Sequence, residues 1–437
     1  MNSKFIFLSC LSLFLINQTR AQSFDIYNEF VFLKDFSYNT KKSNSSINFA
    51  KSVKIEHEVN ELLDPIIELN SSEKLKLSFD ILASESTTYA YTFIHCDSDW
   101  QYSDITQSEY LNGFFDNYIN NFEYSFNTLT PYVNYNLVFP NEDVQFKKSG
   151  NYVILVYDTE KNTPVLSKRF MIHEDILNIN MSIKIPSLPQ DRDTKQEIDF
   201  YIKNFEKLNI IDPTQELKII IQKNDDWNNI IDNCKPSFVN NKVLEFDYQG
   251  DLSFNGGNEF FDFDMKSLRY LGKNVYSIEQ KMIQGHQIYC IDLFTDKIKN
   301  EDYEFKYDLN GKYVLSVNET KDRNTEGDYA LVKFTLINNE VTNQNIYVYG
   351  ELTNWDILPE AEMKYDSQKK YYYCFLYLKQ GYYNYQYVIS DESKITYLNN
   401  NYSETRNQYS IYTYHSPSWG NYDRLVGISK NTSNALK

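Results

Sequence analysis

The strongest constraint on this chain is a period of two. From Lys74 to Leu82 the residues alternate, with Leu75, Leu77, Phe79 and Ile81 on one face and Lys74, Lys76, Ser78 and Asp80 on the other. Successive side chains point to opposite faces in an extended strand, so the pattern predicts an antiparallel strand with one face in a core. Tyr152 to Tyr157 is apolar throughout and bounded by Gly150 and Asp158, as expected of a strand inside a sandwich. Short runs of this kind recur at Leu217 to Gln222, Tyr313 to Val317, Tyr329 to Ile337, Ile346 to Tyr349, Tyr371 to Leu378 and Tyr382 to Ile389. Turn signals such as Asp308-Leu309-Asn310-Gly311 and Asn255-Gly256-Gly257 separate them. Helical periodicity is weak, and Gln107 to Ile119 is its best candidate. The 38 Tyr and 29 Phe suit pleated, half-buried strands. The expected fold is all-β, a tandem array of immunoglobulin-like β-sandwiches.

At 437 residues the chain has room for about three domains. One boundary is expected after the strand ending Met171-Ile172-His173-Glu174-Asp175, and another in the turn-rich stretch Asn318 to Gly327. These divide the chain into 22–173, 174–322 and 323–427, with residues 428–437 as a frayed tail. Residues 1–21 read as a cleavable export signal. Lys4 supplies the positive start, Phe5 to Ile16 the apolar core, and Thr19-Arg20-Ala21 the small residues before cleavage. That core is shorter than the ~20 residues needed to cross a bilayer. The net charge of −17 opposes nucleic acid and anionic lipid alike. Cys96, Cys234, Cys290 and Cys374 form no C-x-x-C pair and read as free thiols in cores.

His95-Cys96-Asp97-Ser98-Asp99 places metal-ligand types side by side, but neighbours on a strand diverge. A calcium loop starting at Asp97 needs Gly and Glu where Tyr102 and Ser108 stand. A strand-end corner capped by Asp side chains, with Trp100 over the core, fits better. The five histidines are scattered and no G-x-S-x-G elbow is present, so no nucleophile has a base. Gly256-Gly257-Asn258-Glu259 lacks the Gly-Lys-Ser/Thr of a phosphate loop and reads as a tight turn. No catalytic, metal or cofactor residue is expected.

The words of the first third of the chain form an ordered set: Phe93-Ile94-His95-Cys96-Asp97-Ser98-Asp99-Trp100, Tyr124-Ser125-Phe126-Asn127-Thr128, and Ser149-Gly150-Asn151-Tyr152. The middle carries Gln222-Lys223-Asn224-Asp225-Asp226-Trp227 and Gly256-Gly257-Asn258-Glu259-Phe260. The last third carries Leu378-Lys379-Gln380-Gly381-Tyr382 and ends in Tyr422-Asp423-Arg424-Leu425-Val426-Gly427. Together they resemble the plug protein family of the type IX secretion system, from which the chain departs at Lys223, Asp226 and Phe261. The resemblance implies a non-enzymatic periplasmic protein without cofactors. Such a protein binds the periplasmic mouth of the outer-membrane translocon barrel and closes it when no cargo is in transit. It implies no membrane insertion and no oligomer, and it leaves the motif residues structural or interfacial.

A second resemblance is local. Tyr349-Gly350-Glu351-Leu352-Thr353-Asn354-Trp355 is similar to early-set immunoglobulin-like modules of glycogen-binding proteins. It implies an alternative, an exported glycan-binding protein with Trp355 as its stacking platform, while Trp355 equally fits a packing residue of the sandwich.

Overall fold

Strands close three cores. The computed structural model describes residues 36–37, 50–161, 163–240, 242–298, 302–338, 344–391, 394–417 and 420–433. The export signal expected at 1–21 lies outside them. Strand accounts for 51% of the structure and helix for 6%, which makes the fold all-β.

In the first sandwich, Gly150–Asp158 runs antiparallel between Tyr89–Cys96 and Thr163–His173. Asn117–Tyr118 ends that sheet on the far side. The facing sheet runs Ala50–His57, Leu75–Ile81, Val133–Phe139, Asn121–Tyr124. The alternation of Leu75, Leu77, Phe79 and Ile81 lands in the core between them. Phe93 gathers Phe139, Phe146 and Phe170 at centroid distances of 5.0, 5.0 and 5.6 Å. Each fully buried ring contributes about 1.5–3 kcal/mol by leaving water.

The second sandwich faces a sheet built on Asn178–Lys184, Lys195–Lys203 and Val243–Phe246 against Asp226–Ile231, Leu217–Lys223, Gln408–His415 and Arg424–Thr432. The third is centred on Gly381–Asp391, which Phe261–Asp264 and Tyr313–Leu315 flank. Its other sheet runs Val275–Ile283, His286–Leu293, Tyr329–Ile337, Tyr371–Lys379, Lys364–Asp366.

These pairings correct the expected boundaries. The second sandwich is discontinuous: Leu217–Lys223 pairs with Gln408–His415 from Leu217↔His415 to Lys223↔Tyr409, and Tyr409, Ile411 and Val426 fill its core. Phe261, Phe263, Met265 and Val275, expected in the middle domain, belong to the third core instead. The third sandwich is thus inserted between strands of the second, so the chain crosses at 256–260 and returns at 398–407. The expected frayed tail is also corrected. Arg424–Thr432 is a strand and Ser433 is buried. Helix over Gln107 to Ile119 shrinks to Gln107–Tyr110, because Leu111–Gly113 pairs with Val144–Phe146.

Candidate functional site

The motif residues of the sequence gather where the sandwiches meet. Between the first and second, Ile94, Cys96, Trp100, Val153 and Met171 from one outer sheet face pack on Ile220, Tyr412, Tyr414 and Leu425 from the other. His95 and Cys96 do diverge: Cys96 enters this seam, and His95 turns inward onto Tyr110 and Tyr152. The His95 ring is sealed, with Nδ1 2.7 Å from the Ser103 hydroxyl and Nε2 3.1 Å from the Ser149 carbonyl oxygen. Burial pulls its pKa down to about 4, against the Ser149 hydrogen bond. A serine beside a histidine makes a nucleophile only where a carboxylate orients the ring and substrate can reach the hydroxyl. Here the second ring nitrogen meets a carbonyl oxygen instead, and the ring is closed to solvent. Burial likewise raises the Cys96 thiol to about 12. All four cysteines of the described residues are free.

The terminal signature docks on the same corner. The Asp423 amide donates to Asp97 Oδ1 at 3.0 Å, while the Ser98 amide and hydroxyl donate to Asp423 Oδ2 at 3.0 and 2.7 Å. Burial, then the neighbouring Asp423 carboxylate, lifts Asp97 to about 6. Lys218 adds a contact to Asp423 at 2.9 Å. Arg424 forks onto Glu174 at 2.8 and 3.2 Å, and the Ser149 hydroxyl donates to the same carboxylate at 2.6 Å. Trp100 does not cover the first core as expected. Its ring meets Trp227 edge-on at 5.1 Å across the seam, with the Arg169 guanidinium 4.5 Å from its face.

The first and third sandwiches meet through a buried ion pair that sequence reasoning missed. Lys379 Nζ lies 2.6 Å from Asp80 Oδ2, with both side chains out of solvent. The Tyr329 hydroxyl and the Asn134 amide also donate to Asp80, at 2.7 and 2.6 Å. Asn127 sits in a left-handed turn (φ +58°) beside this joint, where the amides of Leu129 and Thr130 donate to Asp328 at 2.6 and 3.2 Å. Gly381 is required there, because a Cβ would stand 2.5 Å from the Val314 carbonyl oxygen. The sequence cue for this joint was Lys379, a lysine closing an apolar strand.

The two crossings between the second and third sandwiches are tied together. Thr405 Oγ1 and the Tyr402 amide donate to the Gly257 carbonyl at 2.8 and 2.9 Å. Gly257 has φ +74°, a conformation that favours glycine. The Asn258 side chain accepts from the Glu259 amide at 2.8 Å, and Glu259 accepts from the Arg406 amide at 3.2 Å. Burial raises the Glu259 pKa and brings the fully covered Lys223 down to about 7. Lys223 and Asp226, where the chain departs from the family words, both have defined work. Lys223 donates to the Asn255 and Gly256 carbonyls at 2.6 and 2.8 Å. Asp226 accepts from Tyr349 and Tyr397 of the third sandwich, each at 2.9 Å.

One cleft of about 130 Å³ opens where all three sandwiches converge, and Trp100, Trp227 and Trp355 line it, one from each. Trp355 is half-buried against Phe260 and Tyr349, with ring centroids at 6.2 and 5.5 Å. It is a packing residue at an internal joint and offers no exposed sugar platform. Trp100 and Trp355 both adopt left-handed backbone, φ +65° and +55°. For bulky residues that conformation costs on the order of 1–3 kcal/mol and persists only where packing enforces it.

Among the described residues, Glu197, Asp199 and Asp247 converge closely enough for a cation. Lys184 already contacts all three, so its ammonium occupies that role.

Residues 50–174 match the family model of the type 9 secretion system plug protein 1st domain. Among solved structures, a hypothetical protein from Parabacteroides merdae ATCC 43184, crystallised at 2.30 Å resolution, is 31% identical with a TM-score of 0.84. The match covers 92% of this chain and 100% of that one. No curated protein matches the chain. With its first sandwich matched by that domain model and its motif words at all three joints, the chain belongs to the type IX secretion system plug protein family.

Proposed function

We propose that this protein is a non-enzymatic periplasmic plug, exported by a cleavable signal, that covers the periplasmic mouth of the outer-membrane translocon barrel and closes it while no cargo is in transit. The observation that carries this reading is the plug domain over 50–174, joined on both sheet faces to further sandwiches through buried contacts. A pore cover must resist deformation, and interfaces with a dry apolar seam and a buried ion pair oppose independent domain motion.

The docking face we assign is one edge of the first sandwich. Phe114, Tyr118, Tyr124 and Phe126 are 70%, 60%, 52% and 70% exposed there. The segment includes the edge strands of both sheets, Asn117–Tyr118 and Asn121–Tyr124. Monomers rarely leave such a concentration of aromatics in water, and open strand edges supply main-chain donors and acceptors to a partner. Asp116 and Glu123 within the segment suit a basic barrel rim.

The test is solute entry. In cells lacking this chain but retaining the translocon, a dye too large for ordinary porins is expected to enter the periplasm, and restoring the chain is expected to stop it. Unchanged dye entry would overturn the plug reading.

A further inference from the structure

The cleft at the three-sandwich junction carries a feature that packing alone does not explain. Gln222 and Trp100 both line it, and their side chains are 1% and 5% exposed. The Tyr412 hydroxyl donates to Gln222 Oε1 at 3.0 Å, but Gln222 Nε2 and Trp100 Nε1 have no partner. Buried N–H groups are almost always paired, because leaving one unmade forfeits its hydration without return. Two lysines of the lining are already paired with its carboxylates. Lys312 pairs with Asp64 and Asp225, each at 2.7 Å, and Lys54 bonds Glu351 at 3.4 Å and the Tyr313 carbonyl at 2.6 Å. What these two N–H groups lack is a hydrogen-bond acceptor.

Its walls point to the rest of the ligand. Three tryptophans, one from each sandwich, give flat apolar surface, and two of them are held in left-handed backbone that no local preference favours. Its volume of about 130 Å³ approaches that of an apolar cavity of about 150 Å³ that accepts benzene.

We propose that this cleft is a binding site for a small molecule of roughly benzene size that carries a carbonyl or carboxylate oxygen. The oxygen accepts from Trp100 Nε1 and Gln222 Nε2, and the apolar body lies against the indoles. A ligand there touches all three sandwiches, so binding stabilises their mutual arrangement. This site is independent of the translocon-facing edge and does not rest on the plug reading.

Intrinsic tryptophan fluorescence of the mature protein reads the site directly, because three of its 4 tryptophans line the cleft. Benzoate, benzamide and toluene serve as probes, an acid, a neutral carbonyl and a body with no acceptor. Saturable fluorescence change with benzoate or benzamide, and at least tenfold weaker response to toluene, is the expected result. Trp100→Phe keeps the ring and removes the donor, and is expected to weaken binding about tenfold, the usual worth of one buried hydrogen bond. Gln222→Glu replaces donors by acceptors and is expected to weaken it further, which covers the case in which Trp100→Phe fails to fold. Absence of saturation with every probe, toluene binding as well as benzoate, or a crystal structure with ordered water alone in the cleft would overturn the proposal.

Discussion

At His95 the burial of one ring sets a direction for pH dependence. The folded protein holds the imidazole neutral, with its pKa lowered from 6.5 to about 4 by burial. The unfolded chain therefore binds the extra proton first as pH falls. The stabilisation is complete above pH 6.5 and is lost progressively toward pH 4, up to about 3 kcal/mol in all. Urea midpoints measured between pH 7 and pH 4 are expected to fall, and His95→Gln is expected to flatten part of that slope. A wild-type slope identical to that of the variant would remove His95 from the account. The divergence of His95 and Cys96 was legible in the sequence, because strand geometry alone dictates it. Their partners were not: Ser103, Ser149 and the Asp423 corner are distant in the chain, and nothing local marks them.

At the scale of strands, period-two patterning located the inner faces and misjudged the outer ones. Leu75–Ile81 turns its leucines and Phe79 into the core as the alternation requires. Asp80, read as solvent-facing, is fully buried because the third sandwich covers that face. A sequence shows that a face is polar, and only the assembled molecule shows what lies against it. Removing one partner strands the other: Lys379→Met is expected to cost about 3–5 kcal/mol in thermal or denaturant unfolding. The double variant Asp80→Asn with Lys379→Met is expected to recover a large part of that loss. Equal damage from single and double variants would mean that the pair does not hold this joint. Trp355 illustrates the same limit from the other side: a packing role was legible beside the sugar platform, but the joint at which it packs was not.

For the molecule as a whole, the number of sandwiches followed from length and strand spacing, whereas their connectivity did not. Pairing of Leu217–Lys223 with Gln408–His415 joins residues almost two hundred positions apart, and no local pattern encodes such a return. A fragment of residues 174–322 lacks two core strands of the second sandwich, and is expected to stay unfolded by circular dichroism. A fragment of residues 50–174 retains its whole core and is expected to fold. A cooperatively folded 174–322 fragment would contradict the discontinuous second sandwich. Closure of a pore by the three-sandwich body is the proposal, and affinity isolation tests it most directly. The tagged protein would be recovered from detergent-solubilised outer membranes of its own cells, and its partners identified by mass spectrometry. The expected result is a very large translocon β-barrel, retained by wild type and lost from the Phe114→Ser, Phe126→Ser variant. Recovery of no outer-membrane barrel, with the tagged protein itself folded and abundant, would contradict the account.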